Sequence, residues 1–258
     1  SAGLLALTSP SNVMGSVTVS TGGRLNVDGA VVRVPYLGLT VGGSGAGALT
    51  VYNGGIYCAS NVYVGLNSGS TGTVSLTNGT LTCGTLRVGY SGTGVVVQTG
   101  GTLGRVSGGD WIIGVNSSGV GTYMLSGGTL DTSSANFQLG YNGRGTLLQT
   151  GGTLNSGAWP VVGRYLGGVG VYTLSGGVFN QTGTGNGLVV GEQGLGTFTL
   201  NGSGVANLYG ALYLSGGGSG NQGTGIVNLC TGGTLNTPVI KKNSGFSATF
   251  NFDGGTLR

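Results

Sequence analysis

Apolar residues alternate with small or polar ones in short blocks along the whole chain, as in Val74 and Leu76, Tyr123 and Leu125, Tyr172 and Leu174, Phe198 and Leu200, and Phe250 and Phe252. A period of two predicts strands, because successive side chains of a strand point to opposite faces. Glycine pairs punctuate these blocks. A Gly-Gly-Thr-Leu signature stands at Gly100-Gly101-Thr102-Leu103, Gly127-Gly128-Thr129-Leu130, Gly151-Gly152-Thr153-Leu154, Gly232-Gly233-Thr234-Leu235 and Gly254-Gly255-Thr256-Leu257. Degenerate copies stand at Gly22-Gly23, Gly54-Gly55, Asn78-Gly79, Gly176-Gly177 and Gly202-Ser203. A further signature, apolar-x-apolar-Gly, ends at Gly42, Gly65, Gly89, Gly114, Gly140, Gly163 and Gly191, with Ser215 in the eighth place. Helical spacing is absent, and each interior glycine would weaken a helix by about 1 kcal/mol relative to alanine. At strand ends the same glycines permit positive φ and sharp corners.

The glycine-pair series recurs every 26 residues or so, and the apolar-x-apolar-Gly series about every 25. An antiparallel sandwich has no reason to repeat its sequence at that interval, whereas a coil that stacks on its own copy requires it. One strand before the glycine corner, one after it and a third ending in apolar-x-apolar-Gly predict an all-β fold: a parallel β-helix of about ten coils, three short strands per coil. Strand chirality makes a right-handed solenoid the expectation. Stacked coils roughly 4.8 Å apart give a rod on the order of 48 Å long. Residues 1–16 read as a lead-in segment or partial coil and 17–258 as a single β-helix domain, since composition shifts nowhere along the chain. Like positions stack, so one inward column is expected to hold Leu25, Tyr57, Leu81, Leu103, Leu130, Leu154, Phe179, Val205, Leu235 and Leu257. A second runs from Leu39 through Val62, Leu86, Trp111, Phe137 and Leu188 to Leu212, and a third from Val41 to Leu214 two residues on. Gln98 and Gln149 occupy an inward position in their coils; either they are buried and hydrogen-bonded, or the strand flips locally. Cys230 falls at the same position and reads as core.

Composition narrows the chemistry. Of 258 residues 62 are glycine, and charged side chains make up 5% against roughly 25% in an ordinary domain. An apolar fraction of 38% and a mean hydropathy of +0.27 argue against disorder, and four prolines with no three-residue glycine period argue against collagen. There is no histidine, which removes Ser-His-Asp and Cys-His catalysis and the commonest metal ligand. The net charge of +4 is scattered, so no nucleic-acid partner is expected, and no run of 18 apolar residues suggests a membrane-inserted helix. The five acids are Asp28, Asp110, Asp131, Glu192 and Asp253. A glycosidase needs two carboxyl groups roughly 5–10 Å apart, and no two of these share a column on adjacent coils. The expectation is therefore a chain with no catalytic residues, no bound metal and no cofactor.

Cys58 and Cys83 lie one coil apart just past the corner, either within disulfide reach of each other or as small buried hydrophobes. The outer side of the third strand carries Tyr63, Ile112, Val161, Val189 and Tyr213, and the positions after the corner glycine add Leu66, Tyr90, Val115 and Tyr141. A continuous apolar stripe marks a contact. Lateral self-association, sugar stacking on the tyrosines, and loops folding over the stripe all remain open. No capping helix is visible at either end, so the last strands, with Phe250, Phe252 and Leu257, are expected to stack on another copy unless the chain is a piece of a longer one.

Repeats such as Gly119-Val120-Gly121-Thr122-Tyr123-Met124-Leu125-Ser126-Gly127-Gly128-Thr129-Leu130 and Phe250-Asn251-Phe252-Asp253-Gly254-Gly255-Thr256-Leu257 resemble the autotransporter-associated β-strand repeat proteins, large secreted bacterial surface proteins. The resemblance covers nearly the whole chain from about Val17. It implies a secreted, extracellular or bacterial cell-surface location and a structural or adhesive role. The leading expectation is a non-enzymatic building block of a filament, fibre or surface layer, a homo-oligomer or polymer joined head to tail and laterally. The alternatives are a carbohydrate-binding adhesin passenger with an extracellular polysaccharide as partner, and a β-helix polysaccharide-degrading enzyme.

Overall fold

The computed structural model describes residues 3–8, 11–106, 109–133, 135–183, 187–216 and 222–258. Every strand pairing is parallel, no helix occurs among the described residues, and the chain winds into a β-solenoid of about ten turns with three strands per coil. The first sheet holds eleven strands, from Leu4–Leu7 and Gly23–Asp28 through Thr71–Leu76, Thr93–Gln98 and Val120–Leu125 to Ser247–Asp253. The second sheet includes Thr102–Arg105, Thr129–Thr132 and Thr153–Ser156; the third includes Trp111–Ile113, Phe137–Leu139 and Pro160–Val162. Gly55–Val64 and Thr80–Val88 run through both. Leu4–Leu7 and Asn12–Val13 pair in register with the coil that follows them.

Interior positions repeat coil by coil. Leu81, Leu103, Leu130, Leu154 and Phe179 are consecutive partners in the second sheet and fully buried. The columns starting at Leu39 and Val41 hold as expected, with Val62 and Val64 above them. Full burial of one such side chain is worth roughly 1.5–3 kcal/mol, so stability is spread along the rod.

Corner glycines set the pitch. Gly114 has φ +77°, and a Cβ there would lie 2.3 Å from the Arg144 carbonyl carbon on the next coil. Gly121, inside a first-sheet strand, would put a Cβ 2.3 Å from the Val88 oxygen. Two backbones therefore close on each other where only hydrogen fits. Ser215 takes the corner position at φ +62°, and its hydroxyl donates to the Gly223 carbonyl at 2.5 Å. Through these corners each coil donates to the preceding one, as in Gly89 N–H to Val64 O, Gly114 N–H to Val88 O and Gly140 N–H to Ile113 O.

Three column assignments differ from expectation by register. Gly23 pairs with Gly47 inside a first-sheet strand, so Leu25 lies between Leu5 and Leu49, and the corner of that coil is at Gly29. Leu81 faces Ile56, not Tyr57, and Phe179 faces Ala206, not Val205. A slip of one residue reverses the face, which leaves Tyr57 exposed and Val205 half-buried. By the same logic Leu229 holds the core position opposite Leu200, and Cys230 is half-buried.

Gln98 and Gln149 do point inward and are fully buried. Gln98 accepts from the Tyr123 hydroxyl and donates to the Gly101 and Thr129 carbonyls; Gln149 accepts from Tyr172 at 2.6 Å and donates to Gly152 and Val178. Each buried amide thus satisfies both its ends. On the outside of the second sheet, Asn155, Asn180, Asn207 and Asn236 form an amide ladder. Asn180, Asn207 and Asn236 each donate through Nδ2 to the asparagine Oδ1 of the coil before, at 2.7–3.0 Å.

Candidate functional site

The densest collection of chemically capable side chains lies on the outer face of the third sheet. In-register stacking makes one column of Tyr63, Arg87, Ile112, Gln138, Val161, Val189 and Tyr213. The residue after each corner glycine makes a second column, Leu66, Tyr90, Val115, Tyr141, Arg164 and Glu192, fixed by backbone bonds such as Tyr90 N–H to Gly65 O and Tyr141 N–H to Gly114 O, both 2.9 Å.

This face is not the exposed apolar stripe that the sequence suggests. Ile112, Val115, Val161 and Val189 are buried, with Val161 only 1% exposed, while Tyr63, Leu66, Tyr90, Tyr141 and Tyr213 are half-buried. Coils roughly 4.8 Å apart let large outward side chains cover small ones above and below them. Arg87 and Gln138 interrupt the column on either side of Ile112, and Arg164 and Glu192 interrupt the second.

Ile112 and Val115 instead form the apolar floor of a groove of about 510 Å³, lined also by Tyr63, Arg87, Tyr90, Gly109, Asp110, Asn116 and Tyr141. Tyr63 and Tyr90 meet edge to face with centroids 5.4 Å apart, which sets the wall on one side. On the other, Tyr141 packs edge to face on Tyr165 at 4.6 Å. Burial and donation to Tyr165 push the Tyr141 hydroxyl above its ordinary pKa; accepting from Tyr141, with Arg164 alongside, lowers that of Tyr165. Asp110 is held by two amides: Asn136 Nδ2 donates to Oδ1 at 2.8 Å and Gln138 Nε2 to Oδ2 at 3.4 Å. Asn116 donates to the Ser91 hydroxyl at 2.9 Å. The Arg87 guanidinium has no hydrogen-bond or ion-pair partner among the described residues.

Beyond Tyr165 the face carries its one recorded ion pair among the described residues. Arg164 binds Glu192, and its guanidinium lies 4.2 Å from the Trp159 ring centroid and 4.9 Å from that of Tyr165. The Glu192 side chain is 1% exposed, and Glu192 Oε1, Arg164 Nε and Gln138 Oε1 are buried with no hydrogen-bond partner among the described residues. Burial pushes the Glu192 carboxyl up from its ordinary range, with Arg164 opposing.

The remaining predicted residues fall elsewhere. Cys58 and Cys83 are direct partners on adjacent coils, both buried free thiols, and Cys58 donates to the Asn61 carbonyl at 3.6 Å. Burial pushes both thiols up, Cys83 furthest. Phe250 is half-buried against the core, while Phe252 is 60% and Leu257 44% exposed on the last coil. Asp131 lies on the second sheet and accepts from Ser133 N–H, apart from Asp110 at the edge of the third. Among the described residues no three Cys, Asp or Glu side chains converge as a metal-ligand set, and no helix is long and apolar enough to cross a membrane. Sequence reasoning missed Arg87, Asn116, Trp159, Arg164 and Tyr165. The spacing that places Tyr63, Arg87 and Ile112 one coil apart was the available signal.

No protein-family model and no curated protein matches the chain. A crystal structure of the TibC-catalyzed hyper-glycosylated TibA55-350 fragment is similar to it over 99% of this chain and 98% of that one, at 19% identity and a TM-score of 0.37.

Proposed function

We propose that the chain is a non-enzymatic building block of an extracellular or bacterial-surface assembly, a rigid β-helical rod that stacks coil on coil with further copies of itself. The observation that carries this reading is the in-register parallel pairing of each coil with the next, Gly72 on Gly94 and Gly94 on Gly121, which makes one coil a template for another. Stacking covers what a lone coil would leave open: Leu25, between Leu5 and Leu49, is 2% exposed, and Leu229, between Leu200 and Phe252, is fully buried. Association is assigned to this coil-on-coil pairing and not to the third sheet, where Ile112, Val115, Val161 and Val189 are already buried. The surface location rests on the repeat resemblance alone.

Electron microscopy of the purified chain across a range of concentrations tests the reading. Filaments with an axial repeat near one rod length, on the order of 48 Å, are expected. Replacing Phe252 by Asp is expected to shorten them. Isolated rods at every concentration would overturn self-stacking. The adhesin reading is favoured by a separate observation, the tyrosine-lined groove of the third sheet.

A further inference from the structure

We infer that the groove between Tyr90 and Tyr141 is a saccharide-binding site. Its composition is that of a surface built for a polyhydroxylated ring. Tyr90 and Tyr141 stand two coils apart in one column, about 10 Å by coil spacing, with Val115 recessed between them. Two aromatic walls over an apolar floor offer faces on which the C–H side of a sugar ring packs. Each wall is pre-set: Tyr90 is held edge to face by Tyr63, and Tyr141 by Tyr165. Ordering on binding is therefore small, which favours affinity.

The polar groups complete the case. The amides of Asn136 and Gln138 fix the Asp110 carboxylate in place, and each of its oxygens retains a lone pair for a hydroxyl donor. The same groove is lined by Arg87, whose guanidinium has no partner among the described residues and is a forked donor for paired hydroxyls or a carboxylate. A donor and an acceptor lining one aromatic-walled groove suit a ligand whose hydroxyls both give and receive hydrogen bonds. The volume of about 510 Å³ lies within the roughly 300–1,000 Å³ of small-ligand sites. Nothing here requires chemistry on the ligand; the inference is binding, and it stands whether or not rods stack.

The test is an array of neutral, aminated and uronate-containing oligosaccharides, followed by calorimetry with the tightest of them. Wild-type chain is expected to bind at least one class, with affinity falling tenfold or more in Tyr90→Ala, Tyr141→Ala and Asp110→Asn, while Tyr209→Ala on the second sheet binds as wild type. Should either alanine variant fail to fold by circular dichroism, Asp110→Asn and Arg87→Gln carry the test, since both keep the groove's shape. A loss in Arg87→Gln confined to uronates identifies an acidic ligand; an equal loss on neutral sugars identifies hydroxyl recognition. No binding to any arrayed saccharide at millimolar concentration, or binding that these variants leave unchanged, would overturn the inference. Filament formation by electron microscopy is read independently, so failure of stacking leaves this result untouched.

Discussion

Gly69 and Gly114 share a φ of +77°, yet a Cβ on Gly69 would meet nothing within 4 Å, whereas on Gly114 it would strike the backbone of Arg144. Left-handed backbone alone costs an L-residue roughly 1–2 kcal/mol. Gly69→Ala is therefore expected to lower stability by about 1 kcal/mol in urea denaturation, and Gly114→Ala by about 3 kcal/mol or more, because a coil must shift. Similar losses in the two would remove close approach as the reason for the corner glycines. Glu192 supplies the second expectation at this scale. Its carboxyl is raised by burial against the pull of Arg164, so the native state holds the proton more tightly than the unfolded chain does. The stability this adds is fully present below the ordinary value of 4.5 and is lost as the pH rises through the raised native one. The stability of wild type relative to Glu192→Gln is thus expected to increase between pH 7 and pH 4 in paired denaturation curves. A difference that stays flat would mean that Glu192 titrates as a free carboxyl.

Among elements, the strands of the third sheet were the most legible, because apolar-x-apolar-Gly leaves one way to place two inward side chains. The second sheet was less so. Gly22-Gly23 is a corner, with Gly22 at φ +83°, but the one that leads into the first sheet and not out of it, since glycine is demanded at more than one corner and inside first-sheet strands such as the one carrying Gly121. At Gly54-Gly55 the landmark slips by one residue, Gly55 pairing with Thr80, and Tyr57 and Ile56 exchange faces. Exposure on the outer face was illegible for a different reason. Whether Ile112 is open depends on the size of Arg87 and Gln138 one coil to either side, and reading one strand at a time does not weigh neighbours 25 residues away. The tyrosines of the groove were recognised, but Asp110 was weighed only as an acid and its amide partners not at all. The buried glutamines were half legible: position left Gln98 either inward or on a local flip, and the Tyr123 hydroxyl one coil on, donating to its Oε1, is what holds it inside.

As a whole the molecule is a stack in which each coil contacts mainly its neighbours, so length is an adjustable property. Thr71 pairs with Thr93, and Gly72 with Gly94. Excising residues 72–93 joins equivalent points of consecutive coils and is expected to give a soluble rod one coil shorter, with its β-sheet circular dichroism intact and its unfolding free energy lowered by one coil's share. Excising 72–82 instead places second-sheet residues on a first-sheet partner and is expected to yield an unfolded or aggregated chain. If both deletions behave alike, in-register stacking does not hold the rod together.

The corner bonds and the asparagine ladder have a direction. From Gly65 to Ser215 each corner N–H points back toward the previous coil, and Asn180, Asn207 and Asn236 donate the same way. Strand amides point both ways along the rod, as Trp111 N–H to Asn136 O and Leu212 N–H to Val239 O do, so these one-way bonds give the rod a heading without a large net dipole. A corner donor finds its acceptor only in the coil before it. Coils added with the same heading therefore continue the corner and asparagine columns, and coils added in reverse cannot.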